Sequence, residues 1–427
     1  MLERELFVSK VVTIVGQGYV GLPLAQEAVR AGWKVFGLDA SELVVAKLNA
    51  GESHVDDLTD DDVKEMIENG YVATKDPSCI RDSDVSVICV PTPLGVAGAP
   101  DLGAVESATR SVGENLKQGS LVVLESTTYP GTTEDICIPI LEAMSGKLAG
   151  RDFYVSFSPE RVNPGFPEYG IKNTPKLVGG LNEASTEKTV EFYSTFVDEV
   201  VPLSGVKEAE TAKLLENTFR HVNIALVNEM ARVCHELDID IWEVIRGAAT
   251  KPFGFMRFTP GAGVGGHCIP IDPNYLSYEV RRRLGYPLRF VELAQEINNT
   301  MPEYVVDRAA ERLNSEQKAI SSSTVLLLGV TYKPNIADQR ESPSRPVATG
   351  LLKRGANVIF HDPFVSNWDL ENGDKLDRVD NLDEALQKAD LVVMLQAHSS
   401  YDVPALEANA KAFLDTTGRS LEAANRI

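Results

Sequence analysis

The sequence predicts an α/β protein: two Rossmann-like parallel-sheet domains joined by a long central helix. Three observations carry this. The β-branched run Val11–Val15 enters the glycine turn Gly16-Gln-Gly-Tyr-Val-Gly21, then a helical pattern and a second apolar run ending at Asp39. Strand-length apolar runs alternate with helical patterns towards both ends of the chain. Between them, from about Val206 to Ala249, strand signals disappear and the spacing reads as long helix.

Composition narrows the function classes. The 427 residues are 43% hydrophobic and 24% charged, as in an ordinary globular protein of about three domains. No apolar run approaches the ~18 residues that span a bilayer, and the mixed-charge start MLERELFVSK has no signal-peptide pattern, so the expectation is a cytoplasmic protein that does not enter a membrane. The five cysteines are scattered without a CxxC, against a disulfide framework or thiolate zinc site. A net charge of −21 argues against nucleic-acid binding, and an anionic ligand would need basic residues concentrated at its site.

In the first unit each glycine of the turn has a mechanical role: Gly16 the tight turn, Gly18 the approach of a pyrophosphate, Gly21 the helix–strand contact. Tyr19 and Val20 belong to the same cofactor-binding turn. The helix N-terminus faces the phosphates, and Asp39 accepts from the ribose hydroxyls. A 2′-phosphate there would meet a carboxylate with no cation before Lys47, which favours NAD over NADP. FAD is disfavoured because no later segment supplies the extra contacts of a flavin. Further strands, Asp84–Val90, Leu121–Ser126 and Phe153–Phe157, end in Pro91-Thr-Pro93, Thr127–Thr133 and Ser158–Pro164. Ligands of such sheets bind at the strands' carboxyl ends, so Thr92, Thr127 and Glu160 are expected beside the pyrophosphate. Turn chemistry and helix capping are the plain alternatives for the threonines.

The middle of the chain carries the chemistry. Glu208–Leu237 reads as one long helix, with Lys213 and Asn217 one turn apart and Glu216, Arg220 and Asn223 beside them. Asn217, Asn223 and Asn228 are poor choices for an exposed helix and call for partners. Helices are also expected over Asp240–Ala249 and Leu288–Asn314. Between them lies Gly261-Ala-Gly-Val-Gly-Gly-His-Cys-Ile-Pro-Ile-Asp-Pro273, a loop presenting Cys268 and Asp272, in which Gly263, Gly265 and Gly266 leave room for a ligand. A thiolate there is a nucleophile for carbonyl carbon. A buried structural thiol is the plain alternative; a metal site is disfavoured because His267 and Cys268 are adjacent and point opposite ways in extended chain. The last third has strands at Thr324–Val330, Asn357–Asp362, Asp390–Gln396 and Ala412–Asp415, with Lys333, Arg340 and Arg345 clustered where phosphate could sit.

The motifs GQGYVGLPLA, VPTP, ESTTYPGTT, SPERVNPG, KLLENTFRHVNIALVNE, GVGGHCIPIDP and GVTYKPNIADQRESP occur in the order of the nucleotide-sugar 6-dehydrogenases, and the chain resembles that family over nearly its whole length. The resemblance implies an NAD-binding domain over 1–203, a central helical domain over 204–315 and a UDP-sugar-binding domain over 316–427; from its length and composition the long helix is expected to make a homodimer contact. It implies a four-electron oxidation of a UDP-sugar 6-hydroxymethyl to the carboxylate with two NAD and no metal. Cys268 falls at the nucleophile, Asp272 at its acid/base partner, Lys213 and Asn217 at the oxyanion donors, and Thr127 and Glu160 at the thioester-hydrolysis step. Arg340 falls on an NAD-contacting arginine and Lys333 on a substrate lysine; Arg161, Arg220, Tyr332 and the loop glycines fall in the substrate site. The sequences around Glu160, Phe219 and Ile271 look most like the UDP-N-acetylglucosamine branch, then UDP-N-acetylmannosamine, then UDP-glucose. His221, Arg257, Lys251 and Thr417, with Arg419 as a substitute, depart from the family's substrate contacts. A one-step dehydrogenase with a structural Cys268, and a nucleotide-binding protein without turnover, are the rival readings.

Overall fold

The protein's structure, a computed structural model, describes residues 10–55, 57–95, 99–162, 169–266, 269–370 and 373–427. The chain divides into two units: 1–216 with 278–284, and 217–277 with 285–427.

The first unit is built on an eight-stranded sheet. Its strands are β1 (Val11–Val15), β2 (Lys34–Leu38), β3 (Tyr71–Thr74), β4 (Val85–Ile88), β5 (Leu121–Leu124), β6 (Tyr154–Phe157), β7 (Lys176–Gly180) and β8 (Val200–Pro202). The spatial order is β3-β2-β1-β4-β5-β6-β7-β8, whose first six strands have the doubly wound dinucleotide-binding order. Strands β1, β4 and β5 are short β-branched and leucine runs, nearly all buried because helices cover both faces. One apolar cluster, with Val12, Ile14, Trp33 and Tyr193, lies on one side of the sheet. A second, with Val122, Leu124, Phe153 and Phe157, lies on the other. The sequence pattern gave no strand for β3. Nor did it give the reversal of β7, which pairs antiparallel with β6 in the register Phe157↔Gly179 and Ser156↔Gly180.

In the second unit β9 (Thr324–Leu328), β10 (Asn357–His361), β13 (Leu391–Met394) and β14 (Phe413–Asp415) form a parallel sheet in the order β10-β9-β13-β14. The short β11 (Asn367–Asp369) and β12 (Lys375–Asp377) pair antiparallel and were not foreseen. The expected long helix runs Val206–Glu236; its first turns count with the first unit and the remainder, from Asn217, with the second. Helices Ile241–Ala248 and Arg289–Ser315 lie where expected. A further helix, Asp272–Leu284, was read as loop at its start. Asp272 stands in its first turn, where a carboxylate favours the helix dipole, and Pro273 costs no hydrogen bond there.

The two units repeat one local construction. At the end of β1 the Gln17 N–H donates to Asp39 Oδ2 (2.9 Å), and the Ser41 N–H donates to Asp39 Oδ1 (2.8 Å). At the end of β9 the Val330 N–H donates to Asp362 Oδ2 (2.7 Å), and the Phe364 N–H donates to Asp362 Oδ1 (2.8 Å). Asp39 stays partly exposed, whereas Asp362 is buried and also faces His398 Nε2 at 3.0 Å. The second carboxylate is thereby closed to a ribose.

The glycine turn sorts its residues by space. A Cβ on Gly21 would overlap the Gly16 carbonyl oxygen, while a Cβ on Gly18 meets nothing within 4 Å. Gly21→Ala should therefore destabilise the protein by about 1–3 kcal/mol through overpacking, read as a lower Tm. Gly18→Ala should leave Tm within error and weaken dinucleotide binding in a calorimetric titration.

Candidate active site

The carboxyl ends of β4, β5 and β6 gather the polar residues of the first unit. Thr92 is buried between its two prolines, and the Ser126 hydroxyl donates to Val90 O (2.7 Å), tying the end of β5 to that of β4. Thr127 is half-buried, but the neighbouring Thr128 is fully buried and among the described residues its Oγ1 has no hydrogen-bond partner. The sequence reading passed over Thr128 because two adjacent threonines look alike in a motif. A buried orphan hydroxyl costs free energy unless something else supplies its partner, which makes Thr128 a stronger ligand-facing candidate than Thr127.

The turn after these threonines is pinned from the long helix. Glu210 accepts from the Gly131 N–H (2.6 Å), the Thr133 N–H (3.0 Å) and the Thr133 hydroxyl (2.7 Å). Burial pushes its carboxyl up to about 7, against the three donors, which favour the anion. One turn further along, Lys213 is buried and its Nζ donates to the Glu160 carbonyl oxygen at 2.5 Å. Arg161 pairs with Glu216 at 2.7 Å and donates to Pro175 O, so its guanidinium is engaged within the unit.

In the second unit two asparagines of the long helix hold the glycine-rich loop at its two ends. Asn217 Nδ2 donates to Asp272 Oδ2 at 2.6 Å, with both residues buried. Asn228 Oδ1 accepts from the Gly261 N–H (3.0 Å), and its amide donates to Asn298 Oδ1 (2.9 Å). Asn298 in turn reaches His221, whose imidazole burial holds down at about 4 and therefore neutral. The expectation that these helix asparagines have partners holds at both positions; Asn223 instead bonds its own helix at Phe219 O. His267 and Cys268 lie outside the described residues.

The loop glycines make room for the chain itself. A Cβ on Gly265 would stand 2.7 Å from Tyr332 Cβ and 2.8 Å from Glu341 O. One on Gly266, at φ +88°, would stand 2.6 Å from Tyr332 Cε2, and one on Gly263 would stand 3.1 Å from Pro343. They admit the Tyr332–Pro343 segment, which carries Lys333 and Arg340. That segment is fixed by His398: its Nδ1 accepts from the Asn335 N–H (2.9 Å), and Asn335 Oδ1 accepts from the Ser399 N–H and hydroxyl. Arg340 forms a fork with Asp338, its Nη2 2.7 Å from Oδ2. Arg220 is exposed.

Comparison with known proteins gives this geometry its family. Models of the UDP-glucose/GDP-mannose dehydrogenase family match residues 10–197 (NAD binding domain), 207–300 (central domain) and 326–419 (UDP binding domain). The chain belongs to the UDP-glucose/GDP-mannose dehydrogenase family. It is 37% identical over 356 residues to a UDP-N-acetyl-D-glucosamine 6-dehydrogenase of Salmonella typhi, covering 83% of this chain and 82% of that one. It is 34% identical over 392 residues to a UDP-N-acetyl-D-mannosamine dehydrogenase of Pyrococcus horikoshii, covering 91% and 90%. Among solved structures, a UDP-D-ManNAc dehydrogenase of Pyrococcus horikoshii superposes with a TM-score of 0.86 at 32% identity, over 95% of this chain and 94% of that one. A UDP-glucose dehydrogenase of Pyrobaculum islandicum superposes with a TM-score of 0.86 at 26% identity, over 100% and 98%.

This dehydrogenase is therefore an NAD-dependent oxidoreductase acting on a UDP-sugar. Its first unit fits NAD: Gly18 is open for close approach of the pyrophosphate, the helix Gly21–Arg30 begins beside it, and Asp39 is placed by two backbone N–H groups with part of its carboxylate still accessible. Among the described residues no helix is long and apolar enough to cross a membrane. Besides Thr128, sequence reasoning missed Glu125, Lys176, Asn298 and His398. Glu125, Lys176 and Asn298 lie in strand or helix patterns that account for them without function, and His398 lies in the loop after β13; only their partners distinguish them.

Glu210 gives a pH test. Its folded-state carboxyl titrates about 7 against an ordinary 4.5, so its contribution to stability is complete below 4.5 and is lost as pH rises through 7. The loss amounts to about 3 kcal/mol at most. Across that window Glu210→Gln should melt with a flatter pH dependence than the wild type, measured by calorimetry in matched buffers.

Proposed function

We propose that this dehydrogenase oxidises the 6-hydroxymethyl group of a UDP-N-acetylhexosamine to the carboxylate, with UDP-N-acetylglucosamine as the sugar, for surface-polysaccharide precursor synthesis. The observation that carries this reading is the buried Asn217–Asp272 hydrogen bond, which joins two separate motifs into one polar site at the end of the Cys268 loop. NAD, when bound, supplies the hydride acceptor for both oxidations. Asp272, acting through water, or Lys213 takes the proton of the sugar hydroxyl. The Cys268 thiolate adds to the C6 aldehyde, and Lys213 and Asn217 donate to the oxyanion of the thiohemiacetal. Loss of a second hydride leaves a thioester. Water then attacks C6: one of its protons passes to Glu160, the C–S bond breaks with the Cys268 thiolate leaving, and the carboxylic acid so formed gives its remaining proton to solvent to become the carboxylate. The covalent step retains the aldehyde and turns it into a second hydride donor. Thr127, Arg161, Arg220, Tyr332, Lys333 and Arg340 complete the binding roles assigned by motif.

UDP-N-acetylmannosamine is the competing sugar, favoured by the Pyrococcus horikoshii relative at 91% coverage of this chain. The test is an NADH assay against UDP-N-acetylglucosamine, UDP-N-acetylmannosamine and UDP-glucose with product masses. The expected result is two NADH per sugar and a uronate, with UDP-N-acetylglucosamine the best substrate. Cys268→Ala should lower acid formation by about 10³-fold. One NADH per sugar with a stable aldehyde would refute the covalent route.

We also propose that the working form is a homodimer through the long helix. Phe219, Leu226, Met230, Val233 and Leu237 are 39–63% exposed and recur at the three-, four- and seven-residue steps of a helix-packing seam. A second copy of the same helix supplies a matching apolar seam. Leu226→Glu combined with Met230→Glu should convert a dimer to a monomer in light scattering, whereas a wild-type monomer would refute the interface.

A further inference from the structure

The first unit contains a buried charge cluster that the mechanism above does not use. Lys176 Nζ lies 2.8 Å from Glu125 Oε1 and 3.6 Å from Glu160 Oε2. The side chains are 4%, 0% and 15% exposed respectively. Glu125 Oε1 also accepts from the Tyr193 hydroxyl, and the Cys89 thiol lies 3.8 Å from its Oε2. The ammonium stands over the Tyr193 ring at 5.1 Å. Glu160 Oε1 accepts from the Val162 N–H, but among the described residues buried Oε2 has no hydrogen-bond partner. Its nearest cation is Lys176.

The reversal of β7 makes this arrangement possible. In the β6–β7 register Phe157 faces Gly179 and Ser156 faces Gly180. Continued beyond β6, that register sets Glu160 opposite Lys176. A strand parallel to β6 would start at the other edge of the sheet and carry Lys176 away from the carboxyl ends. Glu125, at the end of β5, then fixes the ammonium from below. Burial raises the Glu125 carboxyl. It works against the ammonium of Lys176, but the Glu125 and Glu160 charges outweigh it and the lysine stays protonated.

We propose that Lys176 is a positioning residue for Glu160: one ammonium, shared with Glu125, holds the Glu160 carboxylate paired and aimed during thioester hydrolysis. The role rests on the proposed reaction, in which Glu160 takes the proton of the attacking water. A buried carboxylate without a cation would protonate and lose that ability. The other charged groups around Glu160 are Lys213, whose Nζ is on the Glu160 carbonyl oxygen, and the Arg161–Glu216 pair. Among the described residues, neither forms an ion pair with the Glu160 carboxylate. Glu125 competes for Lys176, so the two neighbours act on Glu160 in opposite directions.

That opposition defines the experiment. Hydrolysis of the covalent intermediate is followed across pH by rapid quench and intact-protein mass in the wild type, Lys176→Met, Lys176→Arg and Glu125→Gln. The acid limb of hydrolysis should move up by about one pH unit or more in Lys176→Met. It should return towards the wild-type position in Lys176→Arg, and move down in Glu125→Gln, where the ammonium is no longer shared. Should Lys176→Met not fold, the downward shift in Glu125→Gln carries the test alone. Acid limbs that coincide, or that move the same way in both variants, overturn the role of Lys176 while two NADH per sugar still stand. A wild type that releases one NADH per sugar overturns the underlying reaction instead, and this inference with it.

Discussion

Two side-chain amides on one helix hold the glycine-rich loop. Asn228 holds the N–H of Gly261 where the loop begins, and Asn217 holds the carboxylate of Asp272 where it ends. A glycine-rich segment has a large conformational entropy to lose, and anchoring both ends from a rigid helix limits the states it can reach. The same hydrogen bond orients Asp272 at the first turn of its helix, so one contact both tethers the loop and places the carboxylate. The glycines between the anchors then let the Tyr332–Pro343 segment come within packing distance. Those glycines and the segment with Lys333 and Arg340 pack together.

The sheet of the first unit solves a different problem, that of placing charge in a buried setting. Parallel strands bring their carboxyl ends to one edge, and there the sequence puts acid and hydroxyl groups: Glu125, Ser126, Thr127, Thr128 and Glu160. Every N-terminal strand residue is carried to the opposite edge. A lysine at the start of a strand reaches the functional edge only if that strand runs backwards, as β7 does. Replacing a buried ion pair by apolar residues is often neutral for stability, so a lysine held between two carboxylates is weakly explained by folding alone.

The two units also show how one construction serves different ends. Both place an aspartate at the end of the second strand under the N–H that follows the first. Asp39 keeps an accessible face, which suits a ribose. Asp362 is taken by His398, and the other nitrogen of that imidazole fixes Asn335. The carboxylate that could bind a ligand in one unit secures a loop in the other.

The sequence by itself determined the two α/β units, the long helix, NAD as cofactor and the enzyme family. Those features depend on local periodicity, on glycine spacing that a short turn requires, and on motifs whose order along the chain is itself the signal. It also indicated that Asn217 and Asn228 needed partners, from helix propensity alone. Only the tertiary structure decided who those partners are, that Thr128 rather than Thr127 carries the orphan hydroxyl, that the loop glycines meet Tyr332, and that β7 runs in reverse. Each depends on pairing between residues far apart in the chain. Strand direction and burial leave no mark on a short apolar run such as Lys176–Gly180, which reads the same in either direction until its neighbours are in place.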